Sequence, residues 1–108
     1  MTRDDLVWLA GYLEGEGCFR TGLDSHGSRR ITISVNSTDE DVLSRAAALL
    51  GNRNVYKHQP KKANWSLLYE TAVSGKAAAE LMIILFPLMG KRRKLQIAKA
   101  IKVWSDLA

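Results

Sequence analysis

Cysteine is nearly absent: the chain carries one, Cys18. No internal disulfide can form, and a reducing, intracellular setting is expected. Long apolar runs are missing too. The longest, residues 81–89, is interrupted by Pro87 and falls far short of the roughly 20 residues that cross a bilayer. No membrane partner is therefore expected. The N-terminus has no charged-then-apolar stretch with a small-residue cleavage site. There is no Walker loop and no dinucleotide fingerprint. His26 and His58 have no Cys or His at metal spacing, which argues against zinc. Cys18 has no histidine within a few residues and reads as a packing residue.

Acids are outnumbered. Lys and Arg total 16 against 11 Asp and Glu, a net charge of +5, and the pI is about 9.6. That balance fits a nucleic-acid partner. The excess is concentrated: residues 87–108 hold Lys91, Arg92, Arg93, Lys94, Lys99 and Lys102 against Asp106 alone. Hydrophobic residues make up 46% and charged residues 25% of the 108, the balance of a soluble globular protein. One domain over residues 1–108 is expected. So small a core leaves little room for a deep, self-contained site, and a site shared between two copies stays open.

Period and punctuation divide the chain. Asp4 and Asp5 are N-cap candidates for a helix in which Leu6, Leu9, Ala10 and Leu13 recur at helical spacing, ended by Gly15 and Gly17. Residues 18–21 read as a short strand and 22–27 as a turn. Residues 30–36 are the clearest strand: Ile31, Ile33 and Val35 alternate with Arg30, Thr32, Ser34 and Asn36, as in a sheet covered on one side. Ser37, Thr38 or Asp39 caps a second helix, with an approximate capping box over residues 38–41. Its stripe is Val42, Leu43, Ala46, Leu49 and Leu50, and Gly51 stops it. Residues 54–58 and 65–73 read as strands around a basic turn, 59–64. A third helix spans 76–86, broken by Pro87 and Gly90. A fourth spans about 92–107, with Leu95, Ala98, Ile101, Val103 and Trp104 for packing and Gln96 with basic side chains on one flank. Trp8, Trp65 and Trp104 read as core or interface residues. The pattern is α+β: an antiparallel four-stranded sheet with all helices on one face, and a weak αββ–αββ echo.

Residues 9–17 read Leu-Ala-Gly-Tyr-Leu-Glu-Gly-Glu-Gly. Glu14 and Glu16 stand at a helix C-terminus, where the dipole disfavours acids. Such violations of local rules tend to mark function; a solvated acidic helix end is the plainer alternative. Gly11 and Gly15, four apart, clear one stripe of the helix for close approach by another. This segment resembles the LAGLIDADG motif of homing endonucleases. Leu, Ala and Gly hold its first three positions, Gly its ninth, and acids its sixth and eighth. The expected αββαββα order resembles the family's single-motif domain over about residues 4–104.

The resemblance implies a site-specific double-strand DNA endonuclease: a homodimer, with a metal site shared between copies, cutting a long near-palindromic target, in a setting of intron or intein mobility. Leu9, Gly11, Tyr12 and Gly15 would form the dimer interface. Glu16, with the backbone carbonyl of Gly15, would hold Mg²⁺, and Glu14 would be structural. Glu16 departs from the Asp of the motif's name. Arg92 aligns best with the family's basic catalytic residue, with Lys91 and Arg93 as alternatives beside the DNA. Asn36 or Ser37 would position water, although the family often has Gln there. The polar strand faces give DNA-binding candidates Arg20, Arg30, Thr32, Ser34, Tyr56 and His58, since Arg reads guanine and Asn reads adenine. Lys61 and Lys62 would touch phosphates. The runner-up is a cleavage-inactive nucleic-acid-binding module of the same fold, an RNA-splicing maturase or DNA-binding regulator.

Overall fold

The computed structural model describes residues 1–23, 26–52, 54–59, 61–62 and 66–106. Among these the elements run α1 (Arg3–Glu16), β1 (Gly17–Leu23), β2 (Arg29–Ser37), α2 (Glu40–Leu49), β3 (Tyr56–His58), β4 (Leu68–Ser74), α3 (Lys76–Leu85), a 3₁₀ turn (Phe86–Leu88) and α4 (Lys91–Ser105). The strands form one antiparallel sheet in the order β1-β2-β4-β3. The αββ–αββ echo becomes two hairpins, β1–β2 and β3–β4, joined where β2 meets β4. All four helices bury residues in one cluster with the inward face of the sheet. The other sheet face is uncovered, as its alternation demands.

Register fixes the two faces. Ile31, Ile33 and Val35 on β2 point into the core with Phe19 of β1 and Tyr69 and Thr71 of β4. Thr71, fully buried in that layer, donates to the Asn54 carbonyl at 2.9 Å, so its burial leaves no unmet donor. The adjacent Leu67 and Leu68 resolve by this pairing: Leu68 shares the uncovered face with His58, and Tyr69 turns inward.

Several boundaries differ from expectation. The N-cap of α1 is Thr2, not Asp4 or Asp5. Its hydroxyl accepts the Asp5 N–H at 3.0 Å, and the Asp5 carboxylate accepts the Thr2 N–H at 3.2 Å, which makes Asp5 the N3 member of a capping box. The box expected over 38–41 does not form. Asp39 caps α2 without a side-chain bond, and Ser37 Oγ accepts the Asp39 N–H at 3.0 Å instead. Gly51, at φ +80°, ends α2 in the left-handed region. β1 runs to Leu23, and residues 24–25 of the expected turn lie outside the described residues, as do Trp65, residues 60, 63 and 64 of the basic turn, and Leu107. Trp8 and Trp104 pack against the core.

The largest departure is in α4. Leu95, expected to pack, is 64% exposed, while Arg93, Ile97 and Ala100 are buried. Positions 93, 97 and 100 share a helix face and 95 lies nearly opposite. Ile97 and Ala100 join the core on that face, together with Arg93. No helix of the described residues is long and apolar enough to cross a membrane.

Candidate functional site

The end of α1 separates its two acids. Glu14 turns toward the start of α4, and its carboxylate accepts the Gly90 N–H. Gly90 is the N-cap of α4, so the carboxylate meets the positive end of that helix. A Cβ on Gly90 would stand 2.7 Å from Glu14 Oε1, so the Glu14 carboxylate would have to shift. Arg93 closes the arrangement. Its Nε donates to the Glu14 carbonyl at 3.0 Å and lies 3.7 Å from Glu14 Oε2, and its NH1 donates to Gln96 Oε1 at 2.9 Å. A guanidinium thus sits at the negative end of α1 and offsets the dipole conflict read from the sequence. Glu14 is structural, as the motif comparison implied.

Arg93, expected beside the DNA, is 7% exposed, and its Nε and NH1 donate inside the fold; of the three basic candidates Lys91 and Arg92 face solvent. Arg93→Ala is expected to lower folding stability by about 2 kcal/mol, the scale of charge-assisted bonds, seen as a lower urea midpoint. Arg92→Ala should leave folding stability within about 0.5 kcal/mol of the parent, as at other surface positions.

Glu16 has the opposite surroundings. It is exposed and lines a depression of about 420 Å³ with Tyr12, Asn36, Ser37, Asp39 and Leu68. The last turn of α1 and the end of β2 meet here, because β1 leaves α1 directly and pairs back along β2, with Gly17 opposite Val35. Gly17 permits that exit: a Cβ there would lie 2.8 Å from the Leu13 carbonyl oxygen. The structure thus brings Glu16 together with both candidates for positioning water. Burial raises the Tyr12 phenol above its ordinary pKa, the charges of Glu16 and Asp39 push the same way, and the neighbouring Ser37 hydroxyl pulls against them. Glu16 and the Gly15 carbonyl are hard oxygen donors of the type Mg²⁺ takes. Among the described residues no three His, Cys, Asp or Glu converge.

Along α1, Gly11 and Gly15 are exposed, and a Cβ at either would meet nothing within 4 Å. Leu9 is fully buried in the chain's own core and offers no side chain to a second copy, a correction to its place in the expected interface. Its spacing to Leu13 directs it inward. Tyr12 is half-buried, its ring stacked on Trp8.

The uncovered sheet face collects the strand candidates in cross-strand rows. Arg20 pairs with Thr32, and Asn36, Glu70 and Tyr56 form a row beside His58. Arg20, Arg30, Asn36, Tyr56, His58, Lys61 and Lys62 are exposed. Thr32 is half-covered and shares a 3.1 Å hydrogen bond with Ser74. Ser34 is the exception at 8% exposure. It shares the face but stands between Cys18 and Ala72, and its short side chain is covered by its neighbours, so it offers no donor to a groove. Sequence reading missed Glu70, whose carboxylate lies 3.4 Å from His58 Nε2. Alternation with Tyr69 and Thr71 places it outward. Asp39 at the depression is a second such residue, since the sequence marks it only as a helix cap.

The fold is that of the LAGLIDADG homing endonucleases. The homing endonuclease I-CvuI, in complex with its target, superposes with a TM-score of 0.70 at 21% identity over 94% of this chain and 68% of the other. I-TnaI gives 0.68 at 18% identity over 91% and 69%. I-CeuI complexed with DNA gives 0.65 at 15% over 97% and 57%. No family model and no curated protein matches the sequence.

Proposed function

We propose that this chain, one domain over residues 1–108, is a single-motif LAGLIDADG homing endonuclease: a homodimer that hydrolyses both strands of a long, near-palindromic DNA site with divalent metal. The observation that carries the reading is the meeting of Glu16 with Asn36 and Ser37 in one open depression at the rim of an uncovered, polar sheet face. The similarity of fold to DNA-bound endonucleases supports it.

Two copies of α1 approach through Gly11 and Gly15, and each brings its Glu16 to the common axis. Glu16 and the Gly15 carbonyl would hold Mg²⁺, which when bound would supply water activation and charge stabilisation for phosphodiester hydrolysis. Asn36 or Ser37 hydrogen-bonds the attacking water. Arg92, exposed at the start of α4, offsets charge on the scissile phosphate, with Lys91 beside it. The uncovered face follows the major groove: Arg20 and Arg30 suit guanine and Asn36 suits adenine, with Thr32, Tyr56 and His58 between them. Lys61 and Lys62 touch phosphates. Two opposed carboxylates, one from each copy, would complete the metal's surroundings.

The test is cleavage of a randomised duplex library by the purified chain. Ends cut in Mg²⁺ and absent in EDTA, with protein still bound to the same sequences in Ca²⁺, are expected. Sequence-selective binding without cleavage in Mg²⁺ or Mn²⁺ would shift the assignment to the binding-only alternative.

A further inference from the structure

One polar group of the depression has no role in that chemistry. Tyr12 lies on α1 one turn before Glu16, so both side chains rise from the same helix face. Its ring is fixed from behind. It stacks on Trp8 with centroids 5.3 Å apart, and the Arg45 guanidinium lies 4.1 Å from the centre of the Trp8 ring. The hydroxyl at the far end is shut off from solvent and has no hydrogen-bond partner of good geometry. A side chain already beside it can supply the partner.

Ser37 is that side chain. It lines the same depression, and its Oγ accepts the Asp39 N–H at 3.0 Å. A serine oxygen accepts two hydrogen bonds and donates one. Asp39 fills one acceptor site and leaves one acceptor site and the proton. We infer that Tyr12 is a positioning residue acting through Ser37: its O–H donates to the second acceptor site of Ser37 Oγ, so that the Ser37 proton is turned into the depression beside Glu16. Ser37 is then a fixed donor toward the bound water, which also decides between Asn36 and Ser37 as its holder. Glu16 and Asp39 are the charged groups that face this hydroxyl, and neither competes for the Ser37 acceptor site. The inference rests on the proposed endonuclease reading only for its cleavage consequence.

Tyr12→Phe removes one oxygen and leaves the ring on Trp8. At saturating DNA, single-turnover cleavage is expected to fall about 10- to 100-fold, the usual effect of removing a group that orients an active-site ligand. DNA affinity in Ca²⁺ should stay within about twofold of the parent, a split that a merely structural residue would not produce. Ser37→Ala should lose as much, and the double variant no more than either single one. A second arm needs no activity. In the free protein, Tyr12→Phe should lower the urea midpoint in the parent and raise it in the Ser37→Ala background, where the buried hydroxyl has lost its partner. Additive effects in that cycle, or a midpoint raised by Tyr12→Phe in the parent, would show an orphan hydroxyl and overturn the inference. If the parent cuts no DNA in Mg²⁺ or Mn²⁺, the endonuclease reading falls, and the folding cycle still decides the Tyr12–Ser37 bond.

Discussion

Glu16→Gln is expected to reduce cleavage at least about 10³-fold while the protein stays folded and bound to its site. The substitution keeps size and hydrogen-bonding shape and removes the charge proposed to attract Mg²⁺, and the proposed homodimer would lose both copies at once. Glu16 is exposed, so the fold loses nothing measurable. DNA affinity in metal-free buffer should hold or tighten, because repulsion between carboxylate and phosphate is relieved. Glu14→Gln gives the opposite profile. Its carboxylate accepts the Gly90 N–H and faces Arg93, so the neutral variant should lose about 1–2 kcal/mol of stability and keep most of its cutting rate. Single-turnover rates and urea midpoints of the two variants separate a metal site from an ordinary acidic helix end. Near-parent cutting by Glu16→Gln would remove this residue from the chemistry.

Gly11→Leu is expected to split association from folding. Gly11 lies inside α1, is exposed, and a Cβ there meets nothing within 4 Å. In an isolated chain the change should therefore stabilise, by about 0.5–1 kcal/mol of helix propensity. In a dimer packed through this stripe, each copy forces a large side chain into a close helix contact. Overpacking costs about 1–3 kcal/mol per site, and two-fold symmetry counts it twice. Association should weaken by at least about 100-fold, roughly 2.7 kcal/mol, and cleavage should vanish with it at the same protein concentration. Sedimentation equilibrium and a urea titration of the same sample check both halves. A parent that sediments as a monomer at micromolar concentration with DNA present would end the shared-site reading.

The two glycines and Leu9 show how far a motif reaches. At α1 the nine residues give the helix, the acid that leaves it at Glu16 and the cleared stripe at Gly11 and Gly15. They do not tell which apolar positions the chain keeps for itself, because Leu9 fits equally a stripe buried in its own core and a stripe buried against a partner. The sheet face was legible in the alternation of β2, since a strand's period of two leaves no other solution once one face is apolar. Glu70 was not legible, because Leu67 and Leu68 obscure the phase of β4 until its pairing with β2 is known.

Short-range periodicity and local backbone chemistry were enough for the α+β order, the inward set Ile31, Ile33 and Val35, the stop at Gly51, and the place of Glu16 at the end of a helix. Features that depend on groups far apart in the chain were settled by the folded arrangement. Arg93 reads as one cation in a run of four until the carbonyl end of α1, 79 residues away, is seen to need a donor. That bond lies on the buried face of α4 with Ile97 and Ala100, and Leu95 is left in water. The end of β2 becomes part of a site only because β1 doubles back along it and lays Asn36 and Ser37 beside Glu16. Hydrogen bonds and charges are satisfied by whatever the fold brings within reach, and reach in space is the one quantity that spacing in sequence does not carry.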